Sequence, residues 1–144
     1  MSQFSMSEQT NLSVDRNRLD SDLEALPQDI LLWNRAATED ATALLVAENH
    51  LKLVEAKLSI DIRQNPVNYG ITKTTEDTIK ALILIQPSYI EAQQAVVSAK
   101  TKLSESRAVC DALDAKRSSL KYLTELTIAG FLGSTTIQPK GVKN

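Results

Sequence analysis

The sequence predicts an all-α fold: an elongated antiparallel hairpin of two long helices with short accessory helices, assembling as an oligomeric coiled-coil bundle or ring. Composition is the first reason, because only four Gly and four Pro occur in 144 residues, of which 42% are hydrophobic and 4% aromatic. Such a composition favours long helices over sheets. Spacing is the second, because apolar residues recur at intervals of three and four along two segments that lack Gly and Pro. One hairpin leaves these stripes partly uncovered, so several copies are expected to complete the core.

The N-terminal part predicts an arm followed by a short helix. Residues 1–12 are rich in Ser, Gln and Asn and are predicted to be flexible. Ser13 is a suitable cap for a helix with Leu19, Leu23 and Leu26 on its apolar side. Pro27 either closes this helix or lies in the first turn of the next, because proline has no N–H to donate within a helix. The helix packs on the bundle or, alternatively, binds a partner.

The first long helix is predicted over residues 28–64, which contain neither Gly nor Pro. Its length is roughly 37 residues, or about 55 Å. Trp33 falls on the apolar stripe, which favours a core or interface anchor over a base-stacking residue. The lone His50 has no second ligand at helical spacing, so it is assigned to solvent or an interface rather than to a metal. The predicted seam consists of Ile30, Trp33, Ala37, Ala41, Leu44, Ala47, Leu51, Val54, Leu58 and Ile62.

The connection between the long helices contains residues that end, turn and start helices. The first helix is expected to end near Asn65, because a residue that precedes proline is pushed out of the helical region. Residues 68–70 predict a turn in which Gly70 supplies backbone freedom. Thr74 and Thr75 are candidate caps of a short apolar helix, since two acids follow in its first turn. Pro87 stops that helix and is expected to begin the next.

The second long helix is predicted over residues 88–129, roughly 42 residues and about 63 Å. Cys110 lies on its seam and is expected to behave as an inert small hydrophobe. Residues 130–133 are expected to end it, so the hairpin domain spans 13–132 and residues 133–144 form a flexible tail. The predicted seam consists of Tyr89, Ala92, Val96, Ala99, Leu103, Ser106, Cys110, Leu113, Arg117, Leu120, Thr124 and Ile128. Polar members of a seam tend to set its register.

Charge and motif content exclude several functions. A formal net charge of -2 gives no global attraction to nucleic acid or to an anionic membrane. One Cys and one His leave no intramolecular disulfide and almost no basis for nucleophilic or metal chemistry, and no catalytic motif occurs. We therefore expect a non-enzyme without metal or cofactor. The N-terminus lacks a signal-peptide pattern, and no apolar run reaches the roughly 18 residues of a membrane span, so a cytoplasmic location is expected.

Basic residues are concentrated around the predicted connection. Lys52, Lys57 and Arg63 lie on the second half of the first long helix, and Lys73 and Lys80 follow it. If the connection folds over the helix end, all five lie at one end of the hairpin. The cluster is then either a phosphate-binding face or ordinary solubilising charge.

The connection carries a series of residues in a fixed order: Ile62-Arg63, Asn65-Pro66, Tyr69-Gly70, Lys73-Thr74-Thr75-Glu76, Ile79-Lys80 and Pro87-Ser88-Tyr89. This series resembles that of a family of small phage proteins, the UvsY-like recombination mediators, and the resemblance covers residues 15–132. Further matches are Leu31, Leu32 and Trp33 upstream, and Leu113, Lys116, Arg117, Leu120, Leu123 and Gly130-Phe131 downstream. No single element is diagnostic, whereas the series in this order is moderately specific.

The resemblance implies a non-enzymatic protein of homologous recombination in the cytoplasm of a phage host. Family members form rings of about six or seven subunits, bind single-stranded DNA, and help the recombinase replace the single-strand-binding protein. Partners implied are single-stranded DNA, a phage or host recombinase, a single-strand-binding protein and further copies of the chain. The implied DNA-binding residues are Lys57, Arg63, Lys73 and Lys80.

This chain departs from the family by placing acidic residues among its cations, which weakens the expected DNA affinity of one subunit and makes it salt-sensitive. Tyr69 is the candidate for base stacking, although a turn aromatic packed on the helix end is an equal alternative. The oligomer interface is predicted at Trp33, Leu44, Leu51, Leu103, Leu113 and Leu120. The competing function is an oligomeric structural or assembly protein of a phage virion that has no DNA-binding role.

Overall fold

A computed structural model of the chain describes residues 10–135, with side chains described as far as residue 130. Three α-helices account for most of it: α1 (Leu19–Gln64), α2 (Glu76–Leu84) and α3 (Pro87–Thr135). Two short 3-10 helices, Arg16–Arg18 and Pro66–Tyr69, precede α1 and α2. Residues 10–135 contain no strand, so the all-α class is confirmed. Oligomeric assembly stays a prediction, and most of the two predicted flexible ends lies outside the described residues.

The start of α1 differs from the prediction. Asp15, rather than Ser13, caps the first 3-10 turn by accepting a hydrogen bond from the backbone N–H of Asn17 at 2.9 Å. Pro27 neither closes nor opens a helix but lies inside α1. Its ring is exposed, and so is Leu23, whose carbonyl loses its intrahelical donor. Water can hydrate that carbonyl while Leu26, about 100° around the helix from Pro27, packs in the core, which holds the helix continuous.

The end of α3 also differs from the prediction. The helix was expected to end in residues 130–133, but it continues to Thr135. Gly70 is the described glycine with a positive φ, so Gly130 keeps an ordinary helical conformation. A glycine inside a helix costs about 1 kcal/mol relative to alanine, which weakens the helix without ending it.

The chain divides into two compact units. The first consists, within the described chain, of residues 10–34 and 108–135, and the second of residues 35–107. In the first unit Leu26, Trp33, Leu113 and Leu120 are buried. Two predicted apolar positions are wrong by one residue, because Asp22 and Lys116 are buried whereas Leu23 of the predicted short helix and Arg117 of the second seam are exposed. Ile128, the last residue of the second predicted seam, is also exposed. Residues adjacent in a helix differ by about 100° in direction, so a shift of one position exchanges the covered side chain.

The second unit pairs the C-terminal part of α1 with the N-terminal part of α3. Asp40 near one end of this pairing accepts a hydrogen bond from Ser106 Oγ at 2.8 Å. At the other end Tyr89 packs on the cluster that contains Ile62. The two helices therefore run antiparallel in this unit. Ala92, Val96 and Leu103 supply its buried side chains on α3.

The connection has the conformation that its proline, glycine and capping threonine residues predict. α1 ends at Gln64, just before Asn65 and Pro66. Gly70 has φ 68°, a left-handed conformation that glycine adopts without a Cβ penalty. Thr75 caps α2, its hydroxyl accepting a hydrogen bond from the Thr78 N–H at 3.3 Å. Pro87 is the first residue of α3, where its missing N–H costs no intrahelical bond.

Candidate nucleic-acid interface at the helix connection

A small hydrophobic cluster fixes α2 against the end of α1 in the second unit. Ile62 of α1 and Ile79 and Ile83 of α2 are buried together, with exposures of 0%, 2% and 6%. Partly buried neighbours close the cluster: Leu58, Tyr69, Ile71, Leu82 and Tyr89. The connection thus folds over the end of α1. The prediction that the cations of this region lie at one end of the hairpin depended on this fold.

Arg63 forms an ion pair with Glu76, the first residue of α2. Its Nη2 lies 2.6 Å from Glu76 Oε1, and both side chains are at least half exposed. An exposed pair of this kind contributes about 0–1 kcal/mol. The Arg63 guanidinium is therefore held beside α2 yet can exchange its carboxylate for another anion at low cost.

Lys73 and Lys80 are the accessible cations of the connection. Both side chains are exposed, and neither forms an ion pair with a residue that the structure describes. Lys80 lies one turn beyond Glu76 on the same side of α2, since residues four apart share a helix face. It is therefore on the side of α2 that meets Arg63. Lys73 lies in the short segment that leads to the capping residue of α2.

Lys57 does not join this group. It precedes Arg63 by six residues, which places the two side chains about 120° apart around α1, on either side of the exposed Ile60. Lys57 is exposed and forms no ion pair within the described part of the chain. Lys52 lies on the Arg63 side of α1, about 16 Å earlier along the helix axis. The five predicted cations thus occupy more than one face.

Tyr69 packs on the helix end, which is the second of the two roles considered for it. The ring is partly buried against the isoleucine cluster, and its hydroxyl donates a hydrogen bond to Asp61 Oδ2. Asn65 Nδ2 donates to the other carboxylate oxygen at 2.9 Å. These two bonds lower the pKa of Asp61, and the bond to the carboxylate raises the pKa of Tyr69. A ring held in this way presents less of its face for base stacking.

The predicted interface residues are mostly covered within one chain. Trp33, Leu103, Leu113 and Leu120 have exposures of 3%, 6%, 1% and 0%, while Leu44 and Leu51 are half-buried. Trp33 also donates its ring N–H to Thr10 Oγ1 at 2.8 Å. Side chains enclosed to this degree leave little surface for another copy to contact.

Two buried polar contacts were not predicted from the sequence. In the first unit Lys116 Nζ lies 3.4 Å from Asp22 Oδ1 and donates to the backbone carbonyl of Asn11 at 2.5 Å. In the second unit Asp40 bonds to Ser106, and Lys102 Nζ lies 3.9 Å from the same carboxylate. The available signal was a charged residue at seam spacing: Lys116 follows Leu113 by three positions and precedes Leu120 by four.

Other reactive groups are few. Burial, and then the charges of Asp111 and Asp114, raise the pKa of the Cys110 thiol, which disfavours the reactive thiolate. Within residues 10–135 no group of three or more His, Cys, Asp or Glu side chains is placed to hold a metal ion. In the same described part of the chain, no helix combines the length and the apolar character needed to cross a membrane.

These features define a class of protein: an all-α chain of long paired helices whose connection displays exposed cations on a rigid hydrophobic support. Comparisons of the chain with protein-family models, with curated proteins and with solved structures found no match. The function is therefore argued from the site itself and from the residue series of the connection.

Proposed function

We propose that this chain is a phage recombination mediator, which binds single-stranded DNA and helps a strand-exchange recombinase replace single-strand-binding protein. One observation carries the proposal: Lys73 and Lys80 are exposed without a described ion-pair partner, on a connection that is supported by buried isoleucines and paired with Arg63 through Glu76. The residue series that resembles the UvsY-like mediators forms this same connection. Its Pro66, Gly70 and Thr75 each have a defined local role there.

Phosphate recognition is the chemistry that these cations support. Lysine supplies a point charge with three donors, and arginine a planar fork that suits phosphate oxygens. Binding the strand also requires Arg63 to share or release Glu76, and Asp61 and Asp77 lie nearby in sequence. The affinity of one copy is therefore low and falls steeply with salt. Several copies along one strand raise the effective concentration of sites and compensate for this weakness.

The test is the binding of a labelled single-stranded oligonucleotide, followed by fluorescence anisotropy over a range of salt concentrations. We expect selective binding over a duplex of the same length. The Lys73→Ala/Lys80→Ala variant is expected to lose most of this affinity. Two phosphate contacts fewer lower the slope of log K against log salt by about 1.4 for a single strand.

The matched control is Lys100→Ala/Arg107→Ala, which changes the net charge equally at two exposed residues of the same unit. This variant is expected to retain the wild-type slope and affinity. Absence of binding by intact wild type at low salt, or equal losses in the two variants, would refute the DNA-binding site. The mediator role is measured separately, as faster exchange of recombinase onto a strand already covered by single-strand-binding protein.

A structural or assembly protein of a phage virion is the second candidate. The acidic balance of the chain and the large apolar side chains exposed on both long helices favour it. This role requires the protein to remain with purified virions and to bind no single-stranded DNA. Quantitative mass spectrometry of purified particles measures the first property, and the anisotropy experiment measures the second.

A further inference from the structure

A short irregular segment precedes the helices of the first unit and contacts both α1 and α3. Thr10 Oγ1 accepts a hydrogen bond from the ring N–H of Trp33 on α1 at 2.8 Å. The backbone carbonyl of Asn11 accepts one from Lys116 Nζ on α3 at 2.5 Å. We call residues 10–15, which lie before the first 3-10 helix, the strap. The strap therefore bridges the two long helices within this unit.

The strap is held by polar bonds more than by apolar burial. Its large apolar side chains, Leu12 and Val14, are 40% and 38% exposed. The helices beneath it are held together by side chains that are almost completely buried, such as Leu113 and Leu120. A segment with few buried apolar contacts opens at a lower free energy than the core on which it lies. Release of the strap therefore leaves the pairing of α1 and α3 in place.

The two groups that the strap contacts are buried donors. Trp33 is 3% exposed and Lys116 is 5% exposed, and each donates to an oxygen of the strap. A buried donor without an acceptor is unfavourable, so these two side chains need a new partner when the strap leaves. The indole N–H of Trp33 finds this partner in water, because release of Thr10 uncovers that edge of the ring.

Lys116 has a second acceptor within reach inside the protein. Its Nζ lies 3.4 Å from Asp22 Oδ1, farther than the 2.5 Å to the Asn11 carbonyl. The other carboxylate oxygen, Asp22 Oδ2, is buried and has no hydrogen-bond partner in the part of the chain that the structure describes. An ammonium group has three donors and can bond both carboxylate oxygens after a small movement. The unpartnered oxygen thus stabilises an arrangement in which Lys116 has released the strap.

We propose that the strap is a conformational switch that opens as a unit while α1 and α3 stay paired. In the open state Lys116 exchanges the Asn11 carbonyl for the Asp22 carboxylate, and the indole of Trp33 becomes accessible to solvent. The closed and open states are two discrete arrangements of the same residues, so anything that binds one of them shifts the population. The strap thereby controls access to Trp33. This switch does not depend on DNA binding at the helix connection, which lies in the second unit.

The test is hydrogen exchange of the full chain, measured by NMR at the Trp33 indole N–H and at the backbone N–H groups of Leu113 and Leu120. Trp33 is the single tryptophan of the sequence, so its indole signal is assigned directly. After correction for intrinsic rates, the indole is expected to exchange at least about ten-fold faster than the core amides, because it needs only local opening. Thr10→Val removes the acceptor of the indole. It is expected to speed indole exchange by about five-fold, the factor that one neutral hydrogen bond contributes to an equilibrium constant, and to leave the core amides unchanged.

The matched control is Thr101→Val, the same substitution at an exposed threonine whose hydroxyl bonds to its own helix in the second unit. It is expected to leave indole exchange unchanged. Asp22→Asn removes the charge that receives Lys116 in the open state, so indole exchange is expected to slow once the global part, measured at the core amides, is subtracted. The proposal is overturned if the wild-type indole exchanges no faster than the core amides, if Thr10→Val and Thr101→Val behave alike, or if Asp22→Asn speeds the local exchange.

Discussion

Tyr69 and Asp61 show how single residues stabilise the end of α1. The Tyr69 hydroxyl and the Asn65 amide both donate to the Asp61 carboxylate, which ties the 3-10 turn back to the helix. The two bonds favour the charged form, so the pKa of Asp61 lies below its ordinary value, with Tyr69 as the larger cause. A lowered folded-state pKa contributes stability above the unfolded pKa, and this contribution is lost as pH falls through the lowered value.

Replacement of Tyr69 by Phe removes the larger of these two bonds. We expect the pKa of Asp61 to rise toward its ordinary value, which a carboxyl-detected NMR titration measures. The part of the stability difference that comes from Asp61 is then present at neutral pH and disappears as pH falls through the wild-type pKa. Tyr122→Phe, at an exposed ring outside this contact, should leave the titration unchanged. An unaltered Asp61 pKa in the Tyr69→Phe variant would contradict the assignment.

At the scale of elements, α1 continues through a proline that the sequence marks as a boundary. Pro27 removes one intrahelical hydrogen bond and crowds the preceding turn, at a cost of about 3 kcal/mol in a helix interior. Leu26 and Trp33, which lie about 100° and 120° around the helix from Pro27, are buried and offset this cost by packing. The helix therefore continues through Pro27 because of tertiary packing, whereas the end of α1 before Pro66 is determined by neighbouring residues.

Replacement of Pro27 by Ala tests this balance. Restoring the N–H and removing the crowding should raise the unfolding free energy by about 1–3 kcal/mol, since part of the gain is lost to a more flexible unfolded chain. Urea denaturation followed by circular dichroism measures the change. Pro87→Ala is the matched control, because a proline at the first position of α3 interrupts no bond and should change stability little. A destabilised Pro27→Ala variant would mean that the ring itself contributes packing.

At the scale of the whole molecule, each compact unit contains one buried polar contact between α1 and α3. The first unit has Asp22 with Lys116, and the second has Asp40 with Ser106. A slip in the pairing of the helices would leave a buried charge against an apolar side chain, so these contacts favour one register. Specificity has a cost here, because Asp22 Oδ2 is buried without a hydrogen-bond partner among the described atoms.

The Asp22–Lys116 pair gives a quantitative test of this view. Asp22→Ala leaves a buried lysine without its carboxylate and should lower the unfolding free energy by about 3–5 kcal/mol. Asp22→Leu/Lys116→Met replaces both charges by apolar side chains and should be neutral or stabilising. Arg117→Ala is the control, since its pair with Asp114 is exposed. Equal losses of unfolding free energy for Asp22→Ala and Arg117→Ala in urea unfolding would show that burial does not determine how much an ion pair contributes to stability.

The sequence by itself determined the features of this protein that depend on neighbouring residues. The helical class, the end of α1 before Pro66, the left-handed Gly70, the Thr75 cap and the start of α3 at Pro87 were all predictable. Each follows from backbone restrictions or from a hydrogen bond within a few residues, which operate whatever the rest of the chain does. Most seam positions followed from spacing for the same reason.

Only the tertiary structure decided which of several adjacent residues is covered and which cations share a face. Lys116 rather than Arg117 is buried, α1 runs through Pro27, and Arg63 is paired with Glu76 on α2. These outcomes depend on the rotation of one helix against another and on packing energy gathered from distant residues. Spacing of three and four along a chain defines a stripe, but the direction in which the stripe is covered comes from the contacts between helices.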